Sequence, residues 1–265
     1  MKKQILLSAL IILITAVPYG TYAGSGDQNT GPEERLQGST ILMIVGDDNE
    51  TAEPGRGTGD LFIRNRLGQV LGHEVILFFE TESLSSLHEA LGFADLVIVS
   101  ESVFSLRLRD KLKSAAIPVI NCESFIQDEM GMTAREPSGD PGEPEDFAYG
   151  VREKDTGIDI VMPGHPLAAG LEGHVTIYRE PREVNWGKVG AGAKVIATLT
   201  GKKEAAALYV YEKGAELFDG TEAAGMRIGF FLEEENITGT SNFMTGEGLR
   251  LFDAAVAYAL ESENE

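Results

Sequence analysis

Cysteine is nearly absent from this chain, since Cys122 is the only one among 265 residues. A single thiol excludes an internal disulfide, so the fold must be stabilised by its hydrophobic core. Histidine is also scarce. The four histidines show neither the His-x-His nor the His-x-x-x-His spacing that is typical of zinc ligands. The histidines therefore predict no zinc site, and no residue is assigned as a metal ligand, whereas calcium binding by the acidic loops stays open.

Basic residues are few: 22 Lys and Arg stand against 42 Asp and Glu, which gives a net charge of −20. This balance excludes a broad basic patch, so we expect neither nucleic acid nor an anionic membrane surface as a partner. The glycine-rich segments 55–59 and 187–192 lack the Lys-Ser/Thr pair of a nucleotide-binding loop. No cofactor is predicted.

Long apolar runs are missing beyond the N-terminus. Residues 1–23 combine a basic start at Lys2 and Lys3, an apolar stretch and small residues before position 24, which is the pattern of a signal peptide. The apolar stretch of about 13 residues is shorter than the ~20 needed to span a bilayer. We predict cleavage, then a flexible leader over 24–39. The protein is expected to be exported, periplasmic or extracellular, without membrane contact after cleavage.

From residue 40 onward, short apolar runs alternate with segments that carry apolar residues at helical spacing. Thr58 or Asp60 can cap the first of these helices. Such alternation predicts right-handed crossovers and a parallel sheet. The fold class is α/β: a flavodoxin-like, doubly wound, mostly parallel sheet with helices on both faces, in a single domain over 40–262. The predicted strands are 40–45, 73–79, 95–99 and 119–122, with helices near 60–71, 83–92, 103–113 and 125–130.

The pattern changes after residue 131. Residues 136–153 are rich in Pro, Gly and acidic residues and predict an exposed loop or lid. The short β-like segments that follow have no helices between them, so they predict a small antiparallel extension of the sheet. A buried strand over 226–232 and a helix capped by Thr245 complete the predicted domain.

Acidic and hydroxyl side chains follow several of the predicted parallel strands. Because ligands of open parallel sheets bind beyond the carboxyl ends of the strands, these side chains are candidates for a ligand pocket. Carboxylates gathered there could bind sugar hydroxyls or another small molecule, ligate a hard cation, or raise one another's pKa. The candidates are Asp47, Asp48, Ser100, Glu101, Glu123, Ser124 and Glu233.

Cys122 and His165 are weaker candidates for catalysis. A nucleophile at a strand-to-helix elbow needs small neighbours, typically glycine, and a basic partner. The run from Asn121 to Ser124 contains no glycine, so we predict that Cys122 is structural and buried. His165 precedes Pro166 and is predicted to order a turn.

The segments ILMIVGD, ADLVIVSES and IPVINCES resemble the opening of class I glutamine amidotransferase-like domains. The later segments HPLAAGL, RIGFFLE and TGEGLRLFDAAVAYAL resemble the exported, ThuA-like (trehalose-utilisation-like) branch of that superfamily. The family's nucleophilic cysteine lies five residues after a proline, where this chain has Glu123 after Pro118. No histidine follows His174. The resemblance therefore implies the fold and the position of the pocket, without the catalytic Cys-His-Glu triad.

Three functions follow from these patterns. The first is an exported ligand-binding or interaction domain that is not an active glutamine amidotransferase. The alternative is a carbohydrate-active enzyme of ThuA-like type, with Glu123 as the general acid/base. Hydrolysis through Cys122 is the third. A Glu123 side chain buried beside another carboxylate would favour the enzyme, and a solvated Glu123 with no cleft would favour the binding domain. The oligomeric state stays open.

Overall fold

The structure is a computed structural model that describes residues 38–46, 58–134, 149–150, 154–233 and 239–261. The predicted signal peptide, most of the leader, Asp47, Asp48 and most of the predicted loop lie outside the described residues. The strands are β1 (Thr40–Val45), β2 (Glu74–Phe79), β3 (Leu96–Val99), β4 (Val119–Asn121), β5 (Tyr149–Gly150), β6 (Lys154–Asp155), β7 (Gly157–Ile160), β8 (Gly173–Thr176), β9 (Arg182–Glu183), β10 (Trp186–Gly187), β11 (Lys194–Leu199), β12 (Lys202–Tyr211) and β13 (Arg227–Gly229). The α-helices are α1 (Thr58–Asn65), α2 (Leu84–Leu91), α3 (Ser105–Leu108) and α4 (Gly246–Glu261), and 3-10 turns form at Ser124–Ile126, Pro166–Ala168 and Thr240–Phe243.

One half of the large sheet is parallel, in the order β2-β1-β3-β4-β13. Its central strands are continuous apolar runs, as expected of strands that are covered on both faces. In β1, residues 41–45 are all buried. The first four strands lie close to their predicted positions, whereas β13 is shorter than the predicted 226–232.

Helices cover both faces of this parallel half. Alternate residues of β1 point to opposite faces: Ile41 belongs to the core that includes residues of α1 and α4, and Leu42 to the core that includes residues of α2 and α3. The hydroxyl of Thr245 accepts a hydrogen bond from the Gly248 N–H at 3.1 Å, so this residue caps α4 as predicted. No helix in the described part of the chain is long and apolar enough to cross a bilayer.

The other half of the sheet is antiparallel. It continues from β13 through β12, β11 and β7 to β8. The prediction of an antiparallel extension is confirmed, but the extension is larger than predicted, since β12 alone has 10 residues and begins at Lys202. The parallel strand ends and the antiparallel half therefore meet at β13.

The predicted helix over 103–113 is wrong beyond its first turn. Helix α3 ends before Arg109, whose φ of +49° is left-handed. The buried guanidinium of Arg227 donates to the carbonyls of Leu112 and Ala115 at 3.2 and 2.5 Å. The segment after Arg109 forms turns, in which the Ala115 N–H donates to the Leu112 carbonyl at 3.0 Å, so the contact with Arg227 accompanies a loss of regular helix.

Candidate functional site

Three acidic side chains meet at one edge of the parallel strands. Because β3, β4 and β13 are adjacent and parallel, the residues that follow them share this edge, which we call the carboxyl edge. Glu101, Glu123 and Glu233 lie there with only 5%, 4% and 4% of their surface exposed. Together with Asp60, described below, they form what we call the carboxyl cluster. The predicted candidates Ser100 and Ser124 are buried at the same edge.

The carboxylate of Glu101 is enclosed by two segments that are distant in the sequence. Its Oε2 accepts a hydrogen bond from the Thr240 hydroxyl at 2.7 Å, and its Oε1 accepts one from the Ser241 hydroxyl at 3.1 Å. Glycines close the other side: a Cβ added at Gly59 or Gly239 would lie 2.6 or 2.8 Å from Oε1. The start of α1 and the turn at Thr240 therefore both pack against this one group.

The surroundings of Glu101 raise the pKa of its carboxyl group to a value near neutral pH. Burial, which disfavours the charged form, raises the pKa of Glu101 to about 7. The Thr240 hydrogen bond opposes this shift, and the negative charge of Asp60 adds to it. Glu101 can therefore gain or lose a proton near pH 7.

Asp60 has a role that differs from the predicted helix cap. Its buried carboxylate accepts hydrogen bonds from the hydroxyls of Ser100 and Ser102, the second at 2.8 Å. Burial raises the pKa of Asp60, and the two serine hydrogen bonds oppose the shift. Sequence reasoning misses this role because an acidic residue in a first helical turn already has an explanation in the helix dipole.

Glu123 ends β4 and caps the 3-10 turn that follows it. One oxygen, Oε1, accepts a hydrogen bond from the Phe125 N–H at 2.9 Å. The backbone of Glu123 has φ −90° and ψ 113°, an ordinary extended conformation. The side chain of Asn121 donates to the Glu123 carbonyl at 2.8 Å. This relaxed turn differs from the strained elbow of a nucleophile.

Glu233 follows β13 and completes the carboxyl cluster. Its N–H donates to the Thr240 hydroxyl oxygen at 3.2 Å. Its side-chain Oε2 is buried and has no hydrogen-bond partner among the residues that the structure describes. Burial raises the pKa of Glu233 well above its usual range, the negative charge of Glu123 raises it further, and a hydrogen bond from the Ser124 hydroxyl opposes the shift. The carboxylates of Glu123 and Glu233 therefore repel each other at the carboxyl edge when both are charged.

Cys122 is buried in the hydrophobic core. Burial raises the pKa of its thiol well above the usual range, and the charges of Glu101 and Glu233 raise it further. Since the thiolate is the reactive form of cysteine, this environment makes Cys122 unsuited to nucleophilic attack.

His165 lies in a separate turn. Its Nδ1 accepts a hydrogen bond from the Leu167 N–H at 3.2 Å, and its ring packs edge-on against Tyr258 with 5.1 Å between centroids. Partial burial lowers its pKa, as does the charge of Lys194. These contacts order the turn, as predicted, and do not bring His165 to the carboxyl cluster.

Two buried amide side chains, Asn185 and Gln127, form hydrogen bonds beside the ends of β4 and β13. They belong to no sequence motif. Asn185 donates through Nδ2 to the carbonyls of Cys122 and Phe230 at 3.2 and 3.1 Å. Its Oδ1 accepts a hydrogen bond from Gln127 Nε2 at 2.8 Å. Both carbonyls lie beyond the paired residues of β4 and β13. Asn185 therefore fixes the backbone from which Glu123 and Glu233 project.

The space around the cluster is small. A cavity of about 10 Å³, lined by Ser100, Glu101 and Cys122 among apolar side chains, lies on its core side, which is room for about one water molecule. A larger groove of about 310 Å³ lies elsewhere, at the amino ends of β3 and β4. Within the described ranges, no three His, Cys, Asp or Glu side chains are placed to hold a metal ion.

Comparison with known proteins gives a likeness of fold. No protein-family model matches the sequence, and no curated protein matches it. The chain is similar to a ThuA-like protein of known structure from Parabacteroides merdae ATCC 43184, with 10% identity and a TM-score of 0.50, over 84% of this chain and 90% of that one. A ThuA-like protein from Bacteroides uniformis ATCC 8492 aligns with 8% identity and a TM-score of 0.44, over 90% and 95% of the two chains. At such identity the first likeness shows the fold alone, a mixed α/β architecture around a large sheet.

Proposed function

We propose that this chain is an exported, ThuA-like domain of the glutamine amidotransferase-like superfamily that binds a small, hydroxyl-rich ligand at the carboxyl edge. The signal-peptide pattern of residues 1–23 supports export. The strand order β2-β1-β3-β4-β13 supports a flavodoxin-like, doubly wound core, in which ligands bind beyond the strand ends. The observation that carries the proposal is the meeting of Glu101, Glu123 and Glu233 at that edge. Carboxylate oxygens accept hydrogen bonds from sugar hydroxyls.

The same geometry speaks against amidotransferase chemistry. Attack on an amide needs an exposed thiolate with a basic partner. Cys122 is 2% exposed and its neighbouring charges are negative. His165 is occupied with the Leu167 N–H in another turn. The proposed domain keeps the fold and the position of the pocket without the thiol chemistry.

A thermal-shift screen tests the binding proposal. The chain beginning at Gly24 is heated with neutral mono- and disaccharides, amino acids or calcium. A ligand at 100 times its Kd stabilises the folded state by about 2.7 kcal/mol, which raises the Tm by several degrees. We expect a shift with sugars that the Glu123→Gln variant loses. The exposed Glu204→Gln variant is the control and should keep it. No shift with any sugar would overturn the proposal, and so would a shift with calcium alone.

A second candidate function is acid/base catalysis on a carbohydrate, with Glu123 as the acid/base. Glu123 is buried beside Glu233, whose pKa it raises, and this is the arrangement expected from the sequence to favour the enzyme. Two carboxyls that influence each other in this way can divide acid and base roles. The discriminating result is a Glu123→Gln variant that still binds a sugar substrate but turns it over at least about 100-fold more slowly. Equal turnover by the two proteins would exclude this candidate.

A further inference from the structure

Acidic groups on the same side of the sheet differ in their partners. Glu80 follows β2 and is 4% exposed. Its carboxylate accepts hydrogen bonds from Arg107, at 2.8 Å, and from the Phe104 N–H. Among the described residues, Glu101, which follows β3, accepts hydrogen bonds from the hydroxyls of Thr240 and Ser241 and from the Ser241 N–H. Glu80 therefore has a cation of its own, whereas the hydrogen bonds found for Glu101 come from neutral groups.

Among the described residues, Glu233 has one side-chain hydrogen-bond donor, the Ser124 hydroxyl, and no cation acts on it strongly. It is 4% exposed, and its buried Oε2 has no hydrogen-bond partner within the described part of the chain. The charges that act most strongly on it come from Glu123, Glu101 and Glu183, and all three are negative. An unpaired buried carboxyl is costly unless it is neutralised by a proton or by a cation. This oxygen is thus a vacant acceptor inside an acidic cluster.

We infer that the ligand of this site carries a positive charge, a protonated amine that pairs with Glu233 at the end of β13. The inference rests on the proposed function, since it names the class of the ligand that binds at the carboxyl edge. An ammonium group offers three donors and one positive charge. It therefore supplies both things that the Glu233 oxygen lacks, while hydroxyls of the same ligand pair with neighbouring carboxylates.

The net charge of the whole chain also favours a positively charged ligand. At −20, the protein attracts small cations toward its surface and repels small anions. A neutral sugar gains nothing from this field, whereas an amino sugar gains both attraction at a distance and a charge-assisted hydrogen bond at the site. The ligand class is therefore a small polyhydroxylated amine.

Three probes separate charge from shape. Glucose, glucosamine and N-acetylglucosamine share a ring, and only glucosamine carries a positive charge. Binding to the chain beginning at Gly24 is measured by titration calorimetry at low salt, at a pH where the amine is protonated. We expect glucosamine to bind at least about tenfold more tightly than the other two, and this preference to shrink as salt is added. Part of the heat should depend on the buffer, because the ammonium displaces a proton from the cluster.

Two variants test whether Glu233 causes the preference for glucosamine. Glu233→Gln should abolish the preference for glucosamine while glucose binding persists. Glu80→Gln removes an equally buried carboxylate that already has Arg107, so it is the matched control and should keep the preference. If Glu233→Gln does not fold, the salt and buffer dependence of the unmodified chain still test the inference.

Each outcome has one meaning. Equal affinity for glucose and glucosamine overturns the inference and leaves the proposed function standing. The same holds if the preference survives in Glu233→Gln. Absence of binding by all three sugars overturns the proposed function itself. Calcium that competes with glucosamine and binds more tightly would also overturn the inference, since a metal would then satisfy the cluster.

Discussion

The two ends of the parallel strands bury charge in opposite ways. At the amino ends, Arg227 is fully buried and donates to carbonyls of the segment before β4, among them Leu112, Lys113 and Ala115. At the carboxyl ends, the four acids of the carboxyl cluster are buried, and the negative charges of neighbouring acids raise the pKa values of Glu101 and Glu233. One end holds a cation that the backbone carbonyls neutralise. The other holds Glu101, whose hydrogen bonds come from neutral hydroxyls, and Glu233, whose buried Oε2 has no hydrogen-bond partner among the described residues.

This contrast separates a structural charge from a functional one. The guanidinium of Arg227 is surrounded by carbonyl dipoles, so it fixes the loop before β4 in place. Burial lowers its pKa to about 10, and it stays charged at neutral pH. Glu101 and Glu233 instead have raised pKa values and incomplete partners. Perturbed acids in a common edge are typical of sites that bind or transform a ligand.

The largest expected effect is at the amino ends. Arg227→Met leaves several buried carbonyls without donors, and we expect it to lower the free energy of unfolding by about 3–5 kcal/mol. Urea denaturation measures this change. The exposed Lys203→Met control should change the value by less than about 0.5 kcal/mol. A loss below 1 kcal/mol at Arg227 would show that the comparison between the two ends is wrong.

The second-largest expected effect is a pH dependence of the free energy of unfolding, which comes from Glu101 at the carboxyl ends. Glu101 has a usual pKa of 4.5, which burial raises to about 7 in the folded state. Between these values the unfolded chain has lost the proton and the folded chain keeps it, so stability falls as pH rises from 4.5 to 7. We expect the fall to be roughly 3 kcal/mol smaller in Glu101→Gln. Denaturant titrations from pH 5 to pH 8 measure it, and parallel profiles for the two proteins would contradict it.

A smaller loss of stability is expected when Asn185, which hydrogen-bonds the backbone beside the ends of β4 and β13, is replaced. Asn185→Ala removes donors to the carbonyls of Cys122 and Phe230, at a cost of about 1–3 kcal/mol. Because Glu123 and Glu233 project from this backbone, sugar binding should weaken more than stability alone explains. Calorimetry well below the Tm separates the two effects. Unchanged affinity in a folded variant would show that Asn185 does not position the site.

The smallest effect is expected at the thiol. Cys122→Ala removes one buried sulfur from the core and should cost about 1 kcal/mol, without effect on ligand binding. In the unmodified protein the thiol should react with a thiol reagent only after unfolding. Rapid modification of the native protein would return Cys122 to consideration as a nucleophile.

The parallel strands and their shared edge could be predicted from the sequence for a physical reason. A strand covered on both faces is a continuous apolar run, and alternation with helices requires that such strands run parallel. Parallel strands place their carboxyl ends together. Glu101, Glu123 and Glu233 were therefore identifiable before any side chain was placed. Asp47 and Asp48 lie outside the described residues, and their membership stays a prediction.

The rest depended on contacts between distant residues. The helical pattern of residues 103–113 gives no sign that Arg227 binds the carbonyls of Leu112 and Lys113 in its second half. Asn185 and Gln127 are single amides without a motif, and their role exists only once β4 and β13 are neighbours. Asp60 belongs to the cluster because the start of α1 packs against β3. Such long-range pairings cannot be read from local periodicity.

The most direct test of the account is the titration of the carboxyl carbons. In a protein with carbon-13-labelled glutamate side chains, NMR from pH 4 to pH 9 follows each carboxyl group, and Glu101→Gln and Glu233→Gln assign two of the signals. The account predicts that Glu101 titrates at about pH 7, that Glu233 titrates well above its usual range, and that addition of glucosamine lowers the midpoint of Glu233. Ordinary midpoints near 4.5 for both residues would contradict it, because the carboxyl cluster would then be neither buried nor short of positive charge.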